Sequence, residues 1–338
     1  MSSGSIVGRS VVEHLTLDHN LALDLLRVTE AAALAASQAM GQGDERAADQ
    51  AAVDAMRQTL SVVPVDGTVV IGEGERDQAP MLFVGEKVGN GLGPKVDFCL
   101  DPLEGAGIVA VGGPNAISAI AVAQRGGFLA VPDVYMEKIA IGPDLPEDLL
   151  DLDEPAERNL KELAKAKQRD IGDLVVCLLS RPRHDDMVQR LRTIGVRVIL
   201  IGDGDVSAIM ATAWPDSGID LFLGWGGAPE GVLAATALSA MGGQMQGRLV
   251  LRDEAERKLA ARVGITDLTR KYRANELAHG HVLFAATGVT DGPILRGVRR
   301  REGHAHTHSI VMRSKTGTMR LVEGKHRLDR HLPEPPLD

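Results

Sequence analysis

Apolar residues recur three and four apart between residues 17 and 40, at Leu21, Leu25, Val28, Ala32 and Ala36, which predicts an amphipathic helix with an alanine-rich second half. Gly41 and Gly43 end it, and Asp44 is placed to cap a second helix carrying Ala47, Ala48, Ala51, Ala52, Ala55 and Met56. The period then shortens. Residues 68–71 and 96–100 are β-prone runs that end in acidic turns, the second of them stiffened by Pro102 and closed by Gly105. Residues 116–123 are apolar throughout, so periodicity leaves buried strand and buried helix equally open. The chain passes on through Gly126-Gly127 and residues 128–131 to Pro132-Asp133-Val134-Tyr135-Met136.

Residues 143–170 are the most polar stretch and read as a surface excursion ending in a lysine-rich helix. Beyond it, apolar runs at 173–179, 196–201 and 220–223 are each followed by a polar turn and a helical stretch. Three such units in succession predict parallel strands covered by helices. Residues 253–277 resemble a charged helix-turn-helix, and residues 281–288 a further strand. His304, His306 and His308 alternate, which sets them on one face of a strand; an exposed edge strand outweighs a zinc site, because the tail offers no matching ligands. The expected division is a 1–15 extension, an N-terminal α/β half over 16–165 with the acidic turns, a C-terminal α/β half over 166–322 with phosphate and sugar loops, and a 323–338 tail.

The 338 residues suffice for two α/β halves, and with only two Trp, two Tyr and five Phe the core must come from Val, Leu, Ile and Ala. A formal charge of −9 argues against a nucleic-acid partner. No apolar run approaches the roughly 18 residues that span a bilayer, and residues 1–10 lack a secretory segment, so a cytoplasmic protein is expected. Cys99 and Cys177 lie in apolar runs and read as buried free thiols.

The chemistry is in the turns. Asp101 and Glu104 stand three residues apart in Asp101-Pro102-Leu103-Glu104-Gly105; two carboxylates, with the Leu103 carbonyl nearby, suit a hard cation such as Mg²⁺ or Mn²⁺. Upstream, Glu73, Glu75 and Asp77 crowd like charges that a cation would relieve. Asp49, on an alanine-packed face, either joins them or points to water beside Arg46. Arg181 and Arg183, held apart by Pro182, suit a phosphate. Asp203 and Asp205 can accept from sugar hydroxyls, and the amides of Gly226 and Gly227 open a helix whose first turn holds Glu230. No dinucleotide fingerprint or Walker motif is present. Each turn alone reads as an ordinary solvated loop; together they point to metal-assisted phosphoryl chemistry.

Six motifs, in order, carry a resemblance: Gly72-Glu73-Gly74-Glu75, Asp101-Pro102-Leu103-Glu104-Gly105, Pro132-Asp133-Val134-Tyr135-Met136, Arg181-Pro182-Arg183-His184-Asp185, Gly202-Asp203-Gly204-Asp205-Val206 and Gly226-Gly227-Ala228-Pro229-Glu230-Gly231. From about residue 23 to 321 the chain resembles class II fructose-1,6-bisphosphatases, which belong with the lithium-sensitive, metal-dependent sugar and inositol phosphatases. The resemblance implies a layered α/β sugar-phosphatase fold of two halves with the active site between them. It also implies that Asp49 and Glu73 hold one metal, Mn²⁺ or Mg²⁺, and that Asp101, Glu104 and Glu230 hold a second. Substrate contacts are implied at Glu104, Gly105, Ala106, Tyr135, Arg181, Pro182, Arg183, Asp203, Gly204, Asp205 and Gly227.

The implied reaction is in-line attack of water on the 1-phosphate of fructose 1,6-bisphosphate, giving fructose 6-phosphate, with the cations supplying a lowered water pKa and charge neutralisation. Two departures stand out. Ala106 replaces the family's threonine, whose hydroxyl is expected to orient the water, and Glu45 stands where many members have lysine, with Arg46 beside it as a replacement cation. Asp49, Arg46 and the position of Ala106 are therefore the catalytic candidates. A bisphosphatase for the seven-carbon sugar sedoheptulose, and a sugar-phosphate-binding paralogue that has lost turnover, are the alternatives. A homo-oligomer, dimer or tetramer, is expected.

Overall fold

The computed structural model describes residues 21–74 and 81–330. The expected extension over 1–15, together with Glu75 and Asp77, lies outside the described residues. Helices α1 (Leu21–Ala36) and α2 (Glu45–Leu60) form as the periodicity predicts, and the Asp44 carboxylate caps α2 by accepting the Ala47 N–H at 3.0 Å. Strands β1 (Asp66–Ile71), β2 (Lys87–Val88) and β3 (Lys95–Glu104), the short helix α3 (Ala106–Val111) and strand β4 (Ile117–Gln124) complete the first pass.

The chain then builds a second sheet from β5 (Tyr135–Ile141), β6 (Val175–Leu179), β7 (Arg197–Ile201), β8 (Leu221–Gly227), β9 (Gln244–Val250) and β10 (Tyr272–Arg273). Helices α4 (Ala156–Lys167), α5 (Asp185–Ile194), α6 (Asp205–Ala211), α7 (Ala228–Ala240), α8 (Glu254–Arg262) and α9 (Ala274–Leu277) come between and after these strands. Finally β11 (Val282–Gly288), β12 (Arg299–Arg301), β13 (His304–Arg313) and β14 (Thr318–Arg327) return to the first sheet. The first sheet runs β12-β13-β11-β4-β3-β1-β2 with β14 on β13, and the second runs β10-β9-β5-β8-β6-β7. Within the second, β7, β6 and β8 are parallel, as the repeated strand-turn-helix units predict.

The layers follow from which faces are apolar. In β4, Ile117, Ala119, Ala121 and Ala123 pack with α7, whereas Ile120 and Val122 pack with α1 and α2. A strand buried on both faces has no polar alternation, which is why the run at 116–123 carried no period. Helix α7 is apolar all round because it lies between the sheets, touching β3, β4 and β11 on one side and β5, β8 and β9 on the other. Helices α4 and α5 cover the outer face of the second sheet. The architecture is thus helix, sheet, helix, sheet, helix, a layered α/β fold.

Three expectations change. The strand before Asp101 does not end in a turn. β3 continues through Pro102 to Glu104 with a register shift between Asp101 and Glu104, so the proline sits in a bulge where its missing N–H costs no ladder bond. The histidine strand is not an edge: β13 pairs with β11 and β12 on one side and with β14 on the other, and β14 reaches Arg327, beyond the expected end at residue 322. The charged segment at 253–277 is α8 followed by β10 and α9, since Tyr272 and Arg273 pair with β9.

Candidate functional site

Both sheets deliver residues to a cleft of about 880 Å³. Asp49 enters it from α2, Glu73 from the end of β1, Asp101 and Glu104 from the bulged end of β3, and Glu230 from the first turn of α7. Burial pushes the Glu73 carboxyl up to about 7, with the charges of Asp49 and Glu230 adding to it. Burial, then the charges of Glu73, Glu104, Glu230 and Asp49, holds Asp101 well above the usual carboxylate range. Glu104 is raised by burial and by Asp205, and Glu230 is driven to about 7 by burial and then Asp205. Burial raises Asp49 as well.

These are the marks of carboxylates gathered without enough positive charge. Oε2 of Glu230 is buried with no hydrogen-bond partner among the described residues. Five oxygen-donor side chains and no thiol or imidazole is the donor set of a hard divalent cation. Among the described residues no three acidic, histidine or cysteine side chains already close around one point. The fit therefore rests on the shared charge and on the unpartnered Glu230 oxygen. Glu104 is also tied across the cleft: Oε1 accepts the Val206 N–H at 2.5 Å and Oε2 the Ser207 N–H at 3.3 Å, so it satisfies the first-turn amides of α6.

The opposite wall is cationic and polar. Arg181 donates to the Gly202 carbonyl at 2.5 Å, and Arg183 to the Trp225 carbonyl at 2.8 Å. Both guanidiniums line the cleft. Arg183 lies 4.6 Å, and Arg252 4.8 Å, from the ring centroid of Tyr135. Asp203, raised by burial, and Asp205 line the same wall, with Gly227 between them and Glu230. Gly105 adopts φ 94° and starts α3, which sets the Ala106 methyl on the cleft.

Of the residues singled out in the sequence, Arg46, Pro182 and Gly204 do not line the cleft. Arg46 is exposed on α2, Pro182 starts the short 3₁₀ turn that aims its flanking arginines, and Gly204 caps α6 at φ 89°. Glu45 lies one turn before Asp49, and a Cβ on Gly107 would come within 3.2 Å of its Oε1, so its carboxylate stands beside the start of α3.

Two supporting residues were not legible. Lys138 is fully buried in β5, and its ammonium donates to the Asp205 carboxylate and, at 2.8 Å, to the Gly227 carbonyl; the one signal was a lysine inside an apolar strand. His184 joins two loops. Its Nδ1–H donates to the Leu179 carbonyl at 2.7 Å, and its Nε2 accepts the Trp225 N–H at 2.9 Å, which fixes a neutral tautomer. A smaller cavity of about 470 Å³, over Ile139, Leu145 and Leu150 with Asp148 and Arg273 at its rim, lies away from these groups.

A layered α/β protein with an acid-lined cleft facing paired arginines has the make-up of a metal-dependent sugar phosphatase. Residues 19–326 match the family described as "Bacterial fructose-1,6-bisphosphatase, glpX-encoded", and the chain belongs to that family of metal-dependent phosphatases. It is similar to "Fructose-1,6-bisphosphatase 1 class 2" of Escherichia coli (strain K12), 43% identical over 327 residues that cover 93% of this chain and 97% of that protein. The same identity and coverage hold for "Fructose-1,6-bisphosphatase class 2" of Escherichia coli O6:H1 and of Shigella flexneri.

Proposed function

We propose that the chain hydrolyses the 1-phosphate of fructose 1,6-bisphosphate to give fructose 6-phosphate and inorganic phosphate. The observation that carries this reading is the meeting, in one cleft, of five mutually repelling acids from α2, β1, β3 and α7 with the arginine pair of the second sheet. Asp49 and Glu73 are assigned to one Mn²⁺ or Mg²⁺, and Asp101, Glu104 and Glu230 to a second, with the Leu103 carbonyl beside them. A divalent cation there supplies a lowered water pKa and charge neutralisation on the departing oxygen.

The protein's own groups do the rest. Arg181 and Arg183 hold the far phosphate, their forks kept in place by the Gly202 and Trp225 carbonyls. Asp203 and Asp205 accept from sugar hydroxyls, and Tyr135 packs against the substrate beside Arg183. Glu104 locks the first sheet to α6, so the acid wall and the sugar wall keep a fixed separation. Among the described residues no helix is long and apolar enough to cross a membrane. Two buried free thiols support the cytoplasm as the compartment.

Phosphate release from fructose 1,6-bisphosphate by the purified protein, with and without Mn²⁺, tests the reading, with sedoheptulose 1,7-bisphosphate run in parallel. Mn²⁺-dependent release that favours the six-carbon substrate is expected. Tight binding of the bisphosphate with no release from either substrate would replace it with the binding-protein reading, for which the methyl of Ala106 on the cleft is the motivating observation.

A further inference from the structure

β5 runs through the middle of the second sheet, between β8 and β9. Lys138 on it is 0% exposed, and its partner Asp205 is 4% exposed. Taking two charges out of water costs several kcal/mol per ion unless geometry and further hydrogen bonds offset it. Here the further bond goes to the Gly227 carbonyl at 2.8 Å. One ammonium therefore joins three segments: β5, which begins with Tyr135; the loop bearing Asp203 and Asp205; and the β8-to-α7 junction at Gly227.

The surrounding backbone is shaped to this pair. A Cβ on Gly226 would lie 2.1 Å from Oδ2 of Asp205 and 2.9 Å from Nζ of Lys138. Glycine at this position leaves room for the buried pair. A stabilising role alone does not account for the choice, since an apolar side chain facing a neutral partner is commonly as stable as a buried ion pair. What the pair adds is direction: Lys138 engages Oδ2 of Asp205, and the same carboxylate lines the substrate cleft.

We infer that Lys138 is a positioning residue for the sugar moiety: it holds the Asp205 carboxylate, together with the Gly227 carbonyl, in the orientation that meets the substrate's hydroxyls. This rests on the phosphatase reading above, so the experiment separates the two. Lys138→Met keeps an unbranched chain one atom shorter and removes its charge; Lys138→Met with Asp205→Asn also removes the orphaned acid. Each protein is assayed with Mn²⁺ on fructose 1,6-bisphosphate and on p-nitrophenyl phosphate, a monoester without sugar hydroxyls. Binding of fructose 1,6-bisphosphate is measured by calorimetry, and thermal unfolding is followed alongside.

Lys138→Met is expected to lower kcat/KM for the sugar bisphosphate at least tenfold, mainly through KM, with a loss on p-nitrophenyl phosphate at least fivefold smaller. The double variant is expected to recover the unfolding midpoint and not the sugar affinity. Equal losses on the two substrates, or recovery of sugar turnover in the double variant, would overturn the positioning role in favour of a structural one. Unchanged calorimetric affinity in Lys138→Met overturns it as well, whether or not the parent turns over. A parent that binds but never releases phosphate, with weakened binding in Lys138→Met, upholds the positioning and overturns only the phosphatase reading.

Discussion

The carboxylate of Glu230 folds back over Gly227 so closely that a Cβ at position 227 would lie 1.7 Å from its Oε2. Gly227 has φ −63° and ψ 145°, which any residue adopts, so the glycine is there for space and not for backbone freedom. Gly227→Ala is therefore expected to displace Glu230 with little change in folding. The unfolding midpoint should move by no more than a few degrees, while the Mn²⁺ concentration for half-maximal phosphate release rises at least tenfold. A variant that needs no more Mn²⁺ than the parent would remove Glu230 from the metal site.

His184 makes a second prediction, about acid. Burial drives its pKa below the ordinary 6.5, opposed by the Leu179 hydrogen bond and reinforced by the charges of Arg183 and Arg181, with Asp185 opposing. A histidine depressed in the fold is protonated first in the unfolded chain. Its contribution to stability is whole above 6.5 and is lost as pH falls from there through the folded value. His184→Phe also orphans the Trp225 N–H, a loss of about 1–3 kcal/mol. Thermal unfolding should show a midpoint lowered by a few degrees at pH 8, and a shallower loss below pH 6.5 than the parent's. Parallel slopes in the two proteins would contradict the assignment.

The cleft acids act in the opposite sense. In the metal-free protein Glu73 titrates at about 7 against an ordinary 4.5, so its stabilising contribution is present below 4.5 and disappears as pH rises through 7. Chelator-treated protein should lose stability between about pH 4.5 and 7, Glu73→Gln should flatten that loss, and Mn²⁺ should raise the midpoint more at pH 8 than at pH 6. A Mn²⁺ effect independent of pH would mean that no proton leaves the acids on binding.

How far the sequence carries these conclusions depends on the kind of residue. Glu73, Asp101 and Glu104 were legible because carboxylates crowded near glycines at strand ends have few stable uses, and Arg181-Pro182-Arg183 because proline spaces the charges; Asp49, within a helix, stayed open between the cleft and water until the resemblance assigned it. Period failed where burial was two-sided, at Ile117 to Ala123, since a strand covered on both faces keeps no alternation. Local turn chemistry misled at Pro102, where tertiary pairing with β4 carried the strand onward as a bulge. Lys138 was hidden because its partners are 67 and 89 residues away in the chain. Arg46 shows the limit of neighbour reasoning: it adjoins Glu45, yet a helix turns successive side chains about 100° apart, and Arg46 stays in solvent.

Ala106 begins α3 on the cleft wall, with the Glu45 carboxylate beside the next residue. A positioned hydroxyl or proton-transfer group contributes on the order of 10²–10⁴ in rate. Ala106→Thr, which adds a hydroxyl and a methyl at the head of α3, is expected to raise Mn²⁺-dependent kcat on fructose 1,6-bisphosphate by at least tenfold with KM little changed. Combining it with Glu45→Lys should also lower KM, because an anion beside the start of α3, where Ala106 meets the cleft, is exchanged for a cation. No gain from Ala106→Thr, in a parent that is already fast, would mean that another group orients the water.

Arg183 tests the division of labour between the two walls. Its guanidinium donates to the Trp225 carbonyl and lies against Tyr135, so it is held in place from both sides and spends little further entropy when it meets an anion. A hydrogen bond to a charged group contributes about 1.5–3 kcal/mol, roughly a 10- to 150-fold change in affinity. Arg183→Ala should therefore raise KM for fructose 1,6-bisphosphate by one to two orders of magnitude, while the Mn²⁺ midpoint, assigned in the proposed function to acids on the other wall, moves less than threefold. If the metal midpoint shifts as much as KM, the arginine acts on the acids and the far phosphate must be held elsewhere.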